Sequence, residues 1–242
     1  QFMVDTVINL ESCSLGRYLF ISKFRGSDFI NGNHAFKISN KGMEVFPEIL
    51  PELKSSYSYD MKRLSFGIDE LDKLSGGGIE TTAINIISGH PGTGKTTLAL
   101  QFLSNCAKNK IKSVYFSFEE EIEFIVKRCT SLKIPVEEYI KSGYLQLIKI
   151  EPLIYFADEF TQLLMEKINS ENISIVVIDS ISGYKLSLKS QNIVSKLHSL
   201  CKSLQHMGIT TVLIDEVEDI TGNFRITEEH ISYLADNIIF LR

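Results

Sequence analysis

The sequence predicts an α/β fold: a mostly parallel sheet flanked by helices, preceded by a β-rich N-terminal segment. Three observations lead there. From Thr82 onward, short apolar runs alternate with longer helix-compatible runs, the pattern of strands joined by crossover helices. Some of those runs, Ile173–Ile178 above all, are almost continuously apolar, as buried strands of such a sheet must be. Before residue 47 the pattern differs, with short stretches of apolar and aromatic residues separated by turn residues.

In chain order, Val4–Glu11 and Tyr18–Phe24 read as strands joined through Ser12–Arg17, which contains Gly16. Ala35–Ser39 and Met43–Phe46 add two short strands around Asn40-Lys41-Gly42. Pro47, Pro51 and the run SSYSYD interrupt the pattern, so residues 47–63 are read as a linker between segment 1–46 and a module spanning 64–242. Ser65–Leu74 reads as a short helix ended by Gly76-Gly77-Gly78. Strand Thr82–Ser88, helix Lys95–Lys108, strand Ser113–Phe118, helix Glu121–Leu132 and a short helix Val136–Lys141 follow. Then come strand Leu145–Ile150, helix Phe156–Ser170, strand Ile173–Asp179, a helix over 191–207, strand Thr210–Asp215 and strand Asn237–Leu241. One echo links the ends: Asp5–Glu11 resembles Asp236–Arg242, as if the chain opened where one module closes and stopped near the close of the next.

The 242 residues suffice for one good core with an appendage. The 25 Lys+Arg against 30 Asp+Glu leave a net charge of −5, and no basic tract supplies a phosphate-backbone footprint, which argues against nucleic acid as a partner. Cys13, Cys106, Cys129 and Cys201 form no C-x-x-C pair, so reduced thiols in a cytoplasmic protein are expected rather than a disulfide framework or zinc site. His198, Cys201 and His206 share a predicted helix at a spacing that does not gather three ligands. No apolar run is long enough to span a membrane, and the N-terminus lacks the regions of a signal peptide. The start at Gln1 is what an excised piece of a longer chain presents.

The chemistry centres on Gly89-His90-Pro91-Gly92-Thr93-Gly94-Lys95-Thr96, which fits G-x-x-x-x-G-K-[ST] between a predicted strand and a predicted helix. Glycines let successive backbone N–H groups converge on phosphate oxygens, and the helix adds its positive end. Lys95 is then the mobile charge for the outer phosphates and the Thr96 hydroxyl a ligand for Mg²⁺, with Thr97 completing the nucleotide-binding stretch. Asp179, at the carboxyl end of an apolar strand, suits the water shell of the same Mg²⁺, although any strand can end on Asp as a turn residue. Glu119 and Glu120 follow another strand on the same edge. Either can polarise the attacking water, and both, with Glu121, also complement the dipole of the next helix.

Beyond the P-loop, several segments resemble the KaiC-type ATPases of the RecA superfamily. They are Phe66–Leu71 with Gly76–Ile79, Ser88–Leu103, Phe118-Glu119-Glu120, Val177–Ser182 and Tyr233–Ile239, in order and spacing over Leu64–Arg242. The resemblance implies a RecA-like fold, ATP and Mg²⁺ as cofactors, slow hydrolysis with the Glu pair as base, and hexameric rings with nucleotide between subunits. Residues 1–46 resemble the closing part of a preceding module, so the chain is expected to hold the end of one module and most of the next. Lys23-Phe24-Arg25-Gly26-Ser27 resembles the family's K-x-R-G-S segment, whose Lys and Arg reach a neighbour's γ-phosphate. Phe29 stands where the family has His, and Lys23 and Arg25 read equally as solvent-facing charges. Segment 1–46 is expected to dock on an ATPase core, its own or a neighbour's, in place of the closing segment that would follow Arg242. Ser232-Tyr233 occupies the position of the Ser-Thr pair that clock members phosphorylate, so no dual-site autokinase activity is expected. Two other classes stay open: a RecA/RadA-type DNA-dependent ATPase, and a nucleotide-gated scaffold with negligible turnover that meets a regulatory protein.

Overall fold

The computed structural model describes residues 4–48, 62–190, 192–217 and 231–242; most of the predicted linker, 49–61, lies outside the described residues. Four N-terminal strands, β1 (Thr6–Cys13), β2 (Gly16–Phe24), β3 (His34–Ser39) and β4 (Gly42–Phe46), form an antiparallel sheet in sequential order. The hairpin turn is tighter than predicted, with Cys13 directly opposite Gly16. Gly16 has φ +137°, and a Cβ there would stand 2.5 Å from the Phe156 ring, so glycine serves both the turn and a close approach to the core.

The main sheet contains β7 (Ile84–Gly89), β8 (Ser113–Ser117), β9 (Leu145–Lys149), β10 (Ile175–Asp179), β11 (Thr210–Glu216) and β12 (Asn237–Leu241). They are parallel throughout, in the order β12-β7-β11-β10-β8-β9. This is the mostly parallel, helix-flanked α/β arrangement of a RecA-like core. A two-stranded ribbon, β5 (Arg63–Leu64) with β6 (Ile79–Glu80), ties the start of this part to the segment before β7.

The period of two along the central strand sorts the core into two layers. Ile175 and Val177 face a cluster containing α2 (Lys95–Lys108), α3 (Ile122–Ser131) and α4 (Val136–Lys141). Val176 and Ile178 face α5 (Ala157–Glu171), α6 (Ile181–Ser187) and α7 (Ile193–His206). In that second layer Phe116, Phe118, Phe160 and Tyr184 pack edge to face with centroids 5.1–5.9 Å apart.

The structure departs from expectation at two helices. The helix expected over Ser65–Leu74 is shortened to α1 (Asp69–Leu74), because Asp72 turns back to accept from the Phe66 N–H at 2.7 Å and the Ser65 hydroxyl at 2.6 Å. That local bonding holds residues 65–66 outside the helix. Helix α6, directly after Asp179, was not predicted. The Ser180 hydroxyl caps it by accepting from the Gly183 N–H at 3.0 Å.

The N-terminal sheet docks on the α5 side of its own chain. Phe156, 4% exposed, packs against Tyr18 and Phe46 with centroids 5.8 and 6.4 Å away. Lys37 pairs with Glu159 and donates to Ile154 O at 3.1 Å, while Lys196 on α7 joins Glu48 at 2.7 Å and Asp158 at 2.9 Å. The two echoing stretches therefore take different places: β12 is an edge strand parallel to β7, and β1 pairs antiparallel with β2, its Ile8 and Leu10 exposed.

Candidate nucleotide site

All six parallel strands run the same way, so their carboxyl ends share one edge, where ligands of open α/β sheets bind. Register brings the residues together: Gly89 lies beside Glu216, and Asp179 beside Ser117. From Gly89 the chain turns through the P-loop into α2. Gly92 and Gly94 have φ +82° and +95°, conformations that a side chain disfavours, and Gly94 caps the helix. A Cβ on Gly89 would meet Leu241 O at 2.3 Å, so the loop fits closely against the last strand. His90 donates through Nδ1 to Val217 O at 3.0 Å and lies edge-on to Phe240. The Thr93 hydroxyl donates to His90 O at 2.9 Å, closing the turn over Pro91.

Lys95 is 5% exposed, and its ammonium donates to Gly89 O and His90 O, both at 2.9 Å. It also faces the Glu216 carboxylate at 3.3 Å. The Thr96 hydroxyl donates to Asp179 at 2.6 Å, and the Tyr115 hydroxyl donates to the same carboxylate oxygen. Burial pushes Asp179 up to about 6; the two hydroxyl bonds partly oppose that, and the negative charges of Glu119 and Glu120 reinforce it. The same enclosure raises Tyr115, which stays protonated as a donor. Thr96 and Asp179 thus form an adjoining pair of hard oxygen donors, the chemistry that suits Mg²⁺.

The two predicted bases separate. Glu119 turns toward the sheet and accepts from the Ser180 hydroxyl. Gly183 makes room for it, since a Cβ there would lie 3.1 Å from Glu119 Oε1 and 2.7 Å from Phe118 Cβ. Glu120 faces the cavity and is bound by Arg128 Nη1 at 2.8 Å. The cavity, about 200 Å³, is lined by Gly92, Gly94, Lys95, Thr96, Thr97, Glu120, Arg128 and Glu216.

Lys23 and Arg25 do not line it. Lys23 donates to Val4 O, and Arg25 faces Asp5 at 3.6 Å. Within the chain, docking of residues 4–48 therefore leaves this pair in local contacts. Sequence reasoning missed Arg128 and Glu216. Glu216 carried a usable signal, since it ends an apolar strand as Asp179 does. Arg128 carried none, standing in the last turn of a helix beside another basic residue, Lys127. Among the described residues no cluster of three His, Cys, Asp or Glu is placed to hold a metal, and Cys201 on α7 is buried with its thiol pushed up to about 12 by desolvation. No described helix is long and apolar enough to cross a membrane.

Comparisons with known proteins identify a family. The family model for the KaiC ATPase matches residues 64–242. Circadian clock oscillator protein KaiC of Picosynechococcus sp. is 27% identical over 246 residues, covering 100% of this chain and 47% of its own. The protein of the same name from Parathermosynechococcus lividus is 30% identical over 250 residues, with 45% of its length covered, and KaiC 1 of Synechocystis sp. is 26% identical over 246 residues. The chain spans about half the length of these curated relatives. With a family model matched across most of its length and a P-loop core to go with it, the chain belongs to the KaiC ATPase family.

Proposed function

We propose that this chain binds ATP with Mg²⁺ and hydrolyses it slowly. The observation that carries the reading is the 2.6 Å bond between Thr96 and Asp179 beneath a glycine-lined cavity that also holds Lys95 and Glu120. The P-loop from Gly89 to Thr97, Pro91 aside, cradles the phosphates through backbone N–H groups, and Lys95 leaves its carbonyl partners for the outer phosphates. Thr96 and Asp179 hold Mg²⁺, which when bound neutralises charge developing on the phosphoryl oxygens. Glu120, on the cavity wall, orients the attacking water as the base, and Glu119 fixes the turn beside it through Ser180.

The rest of the proposal follows from the family. The chain divides into a closing segment 1–46, a linker 47–63 and an ATPase module 64–242. It assembles into hexameric rings in the cytoplasm, with Lys23 and Arg25 serving a neighbouring chain's nucleotide and a regulatory protein as partner. Tyr233 in the Ser232-Tyr233 pair fits an ATPase without dual-site autokinase activity, and the net charge of −5 disfavours a DNA-driven motor.

One observation favours a second reading, a nucleotide-gated scaffold with negligible turnover. Lys95 has an in-chain counter-ion, Glu216, which nucleotide has to outcompete, and the Glu120 carboxylate is already engaged by Arg128. The deciding experiment measures ATP hydrolysis together with light scattering, with and without Mg²⁺–ATP, in the wild type and in Glu119→Gln/Glu120→Gln. Assembly with turnover that the double variant abolishes supports the enzyme; ATP-dependent assembly without turnover moves the scaffold ahead. In Lys95→Ala, lost charge-assisted phosphate bonds of about 1.5–3 kcal/mol each weaken ATP binding, and unchanged affinity overturns the assignment.

A further inference from the structure

We infer that Arg128 is an in-chain phosphate-binding residue, contacting the terminal phosphate of the nucleoside triphosphate while it holds Glu120. The inference rests on the nucleotide reading above and adds a residue that neither the motif nor the strand-end pattern identifies. Ile125 and Cys129 bury α3 against the sheet, and Arg128, between them on the helix, extends from the margin of that buried face to the cavity wall. There it stands with Gly92, Gly94, Lys95, Thr96 and Thr97, the residues that define the phosphate cradle.

Its hydrogen bonding is half used. Nη1 donates to Glu120 Oε2 at 2.8 Å, whereas Nη2 is buried and has no acceptor among the described residues. A guanidinium presents parallel N–H groups in a rigid fork suited to two oxygen acceptors, and leaving a buried charged donor unsatisfied is costly. A small swing of the guanidinium that keeps Nη1 on Glu120 would turn Nη2 toward a phosphate oxygen entering the cavity, satisfying it without breaking the ion pair. The same geometry makes the contact selective. The P-loop amides cradle the inner phosphates and Lys95 reaches toward the outer ones, so a second cation, anchored beside the water-orienting carboxylate, meets the outermost group, which ATP has and ADP lacks.

The test compares wild type, Arg128→Ala and Arg128→Lys by titration calorimetry with Mg²⁺–ATP and Mg²⁺–ADP, with circular dichroism confirming the fold of each. Losing a charge-assisted bond weakens ATP binding of Arg128→Ala by about tenfold or more, while ADP affinity changes by less than about threefold. Arg128→Lys recovers part of the ATP preference, since it keeps the charge but not the fork. If hydrolysis falls but the ATP-to-ADP affinity ratio stays at the wild-type value in both variants, Arg128 only positions Glu120 and the inference is overturned. If the wild-type chain binds neither nucleotide, the nucleotide reading itself has failed.

Discussion

Glu216 is an acid placed where a polyphosphate is expected, and removing its charge makes a sharp prediction. Its Oε1 stands 3.3 Å from the Lys95 ammonium, on the wall of the P-loop cavity. Two unit charges at that distance attract by about 5 kcal/mol at an effective dielectric constant of about 20. Hydration reduces this sharply: the Glu216 side chain is 38% exposed, and a pair of that kind contributes about 1 kcal/mol net. Nucleotide has to displace this carboxylate from Lys95 and then tolerate it nearby, so both effects oppose binding. Glu216→Gln keeps the shape and removes the charge, and the expected gain in Mg²⁺–ATP affinity is about five- to tenfold. Titration calorimetry at about 0.1 M salt reads this directly, before exposed charges are further screened. Unchanged or weaker binding in the variant would refute the reasoning and make Glu216 a residue that helps to hold the nucleotide or its metal.

Two further predictions follow from the site and its support. Asp179 is pushed up to about 6 by burial, so its folded-state pKa lies above the unfolded value. The folded protein then holds a proton that the unfolded chain releases, and without metal the stability declines as pH rises from about 4 to 6, by about 3 kcal/mol at most. Mg²⁺–ATP needs the ionised form, so its stabilisation grows over the same window. Thermal midpoints followed against pH in EDTA and in Mg²⁺–ATP check both slopes, and Asp179→Asn flattens them; equal slopes in wild type and variant count against the assignment. Phe156→Ala removes the ring on which Tyr18 and Phe46 pack, at a cost of about 3–5 kcal/mol for a buried aromatic. Hydrogen exchange then accelerates in β1–β4 while β7, β10 and β11 keep their protection. Equal loss of protection in both sheets would mean that the N-terminal sheet is not docked separately through this residue.

The residues of the P-loop motif are readable without coordinates because their pattern is local. Glycines at 89, 92 and 94 set the backbone of the turn, and the strand before and helix after it follow from apolar periodicity within a short window. Asp179 was readable for the same reason, as a carboxylate at the end of an apolar strand. The direction of each acid at that edge was not, because it depends on which side chains the folded helices and strands bring to it. Nothing near Glu119 and Glu120 foretells that one meets Ser180, just past the end of β10, and the other Arg128, two turns along α3. Glu216 became a partner of Lys95 only when β11 settled beside β7. The N-terminal strands were legible as strands, yet their seat on Phe156 is a packing contact between residues more than a hundred positions apart, which no local pattern announces. Sequence alone determined most of the elements, α6 aside, and the phosphate loop, since backbone preference and hydrophobic period act over a few residues. The pairing of charges within the cavity and the docking of the N-terminal sheet were decided by the tertiary structure, where long-range packing sets the distances on which ion pairs and buried contacts depend.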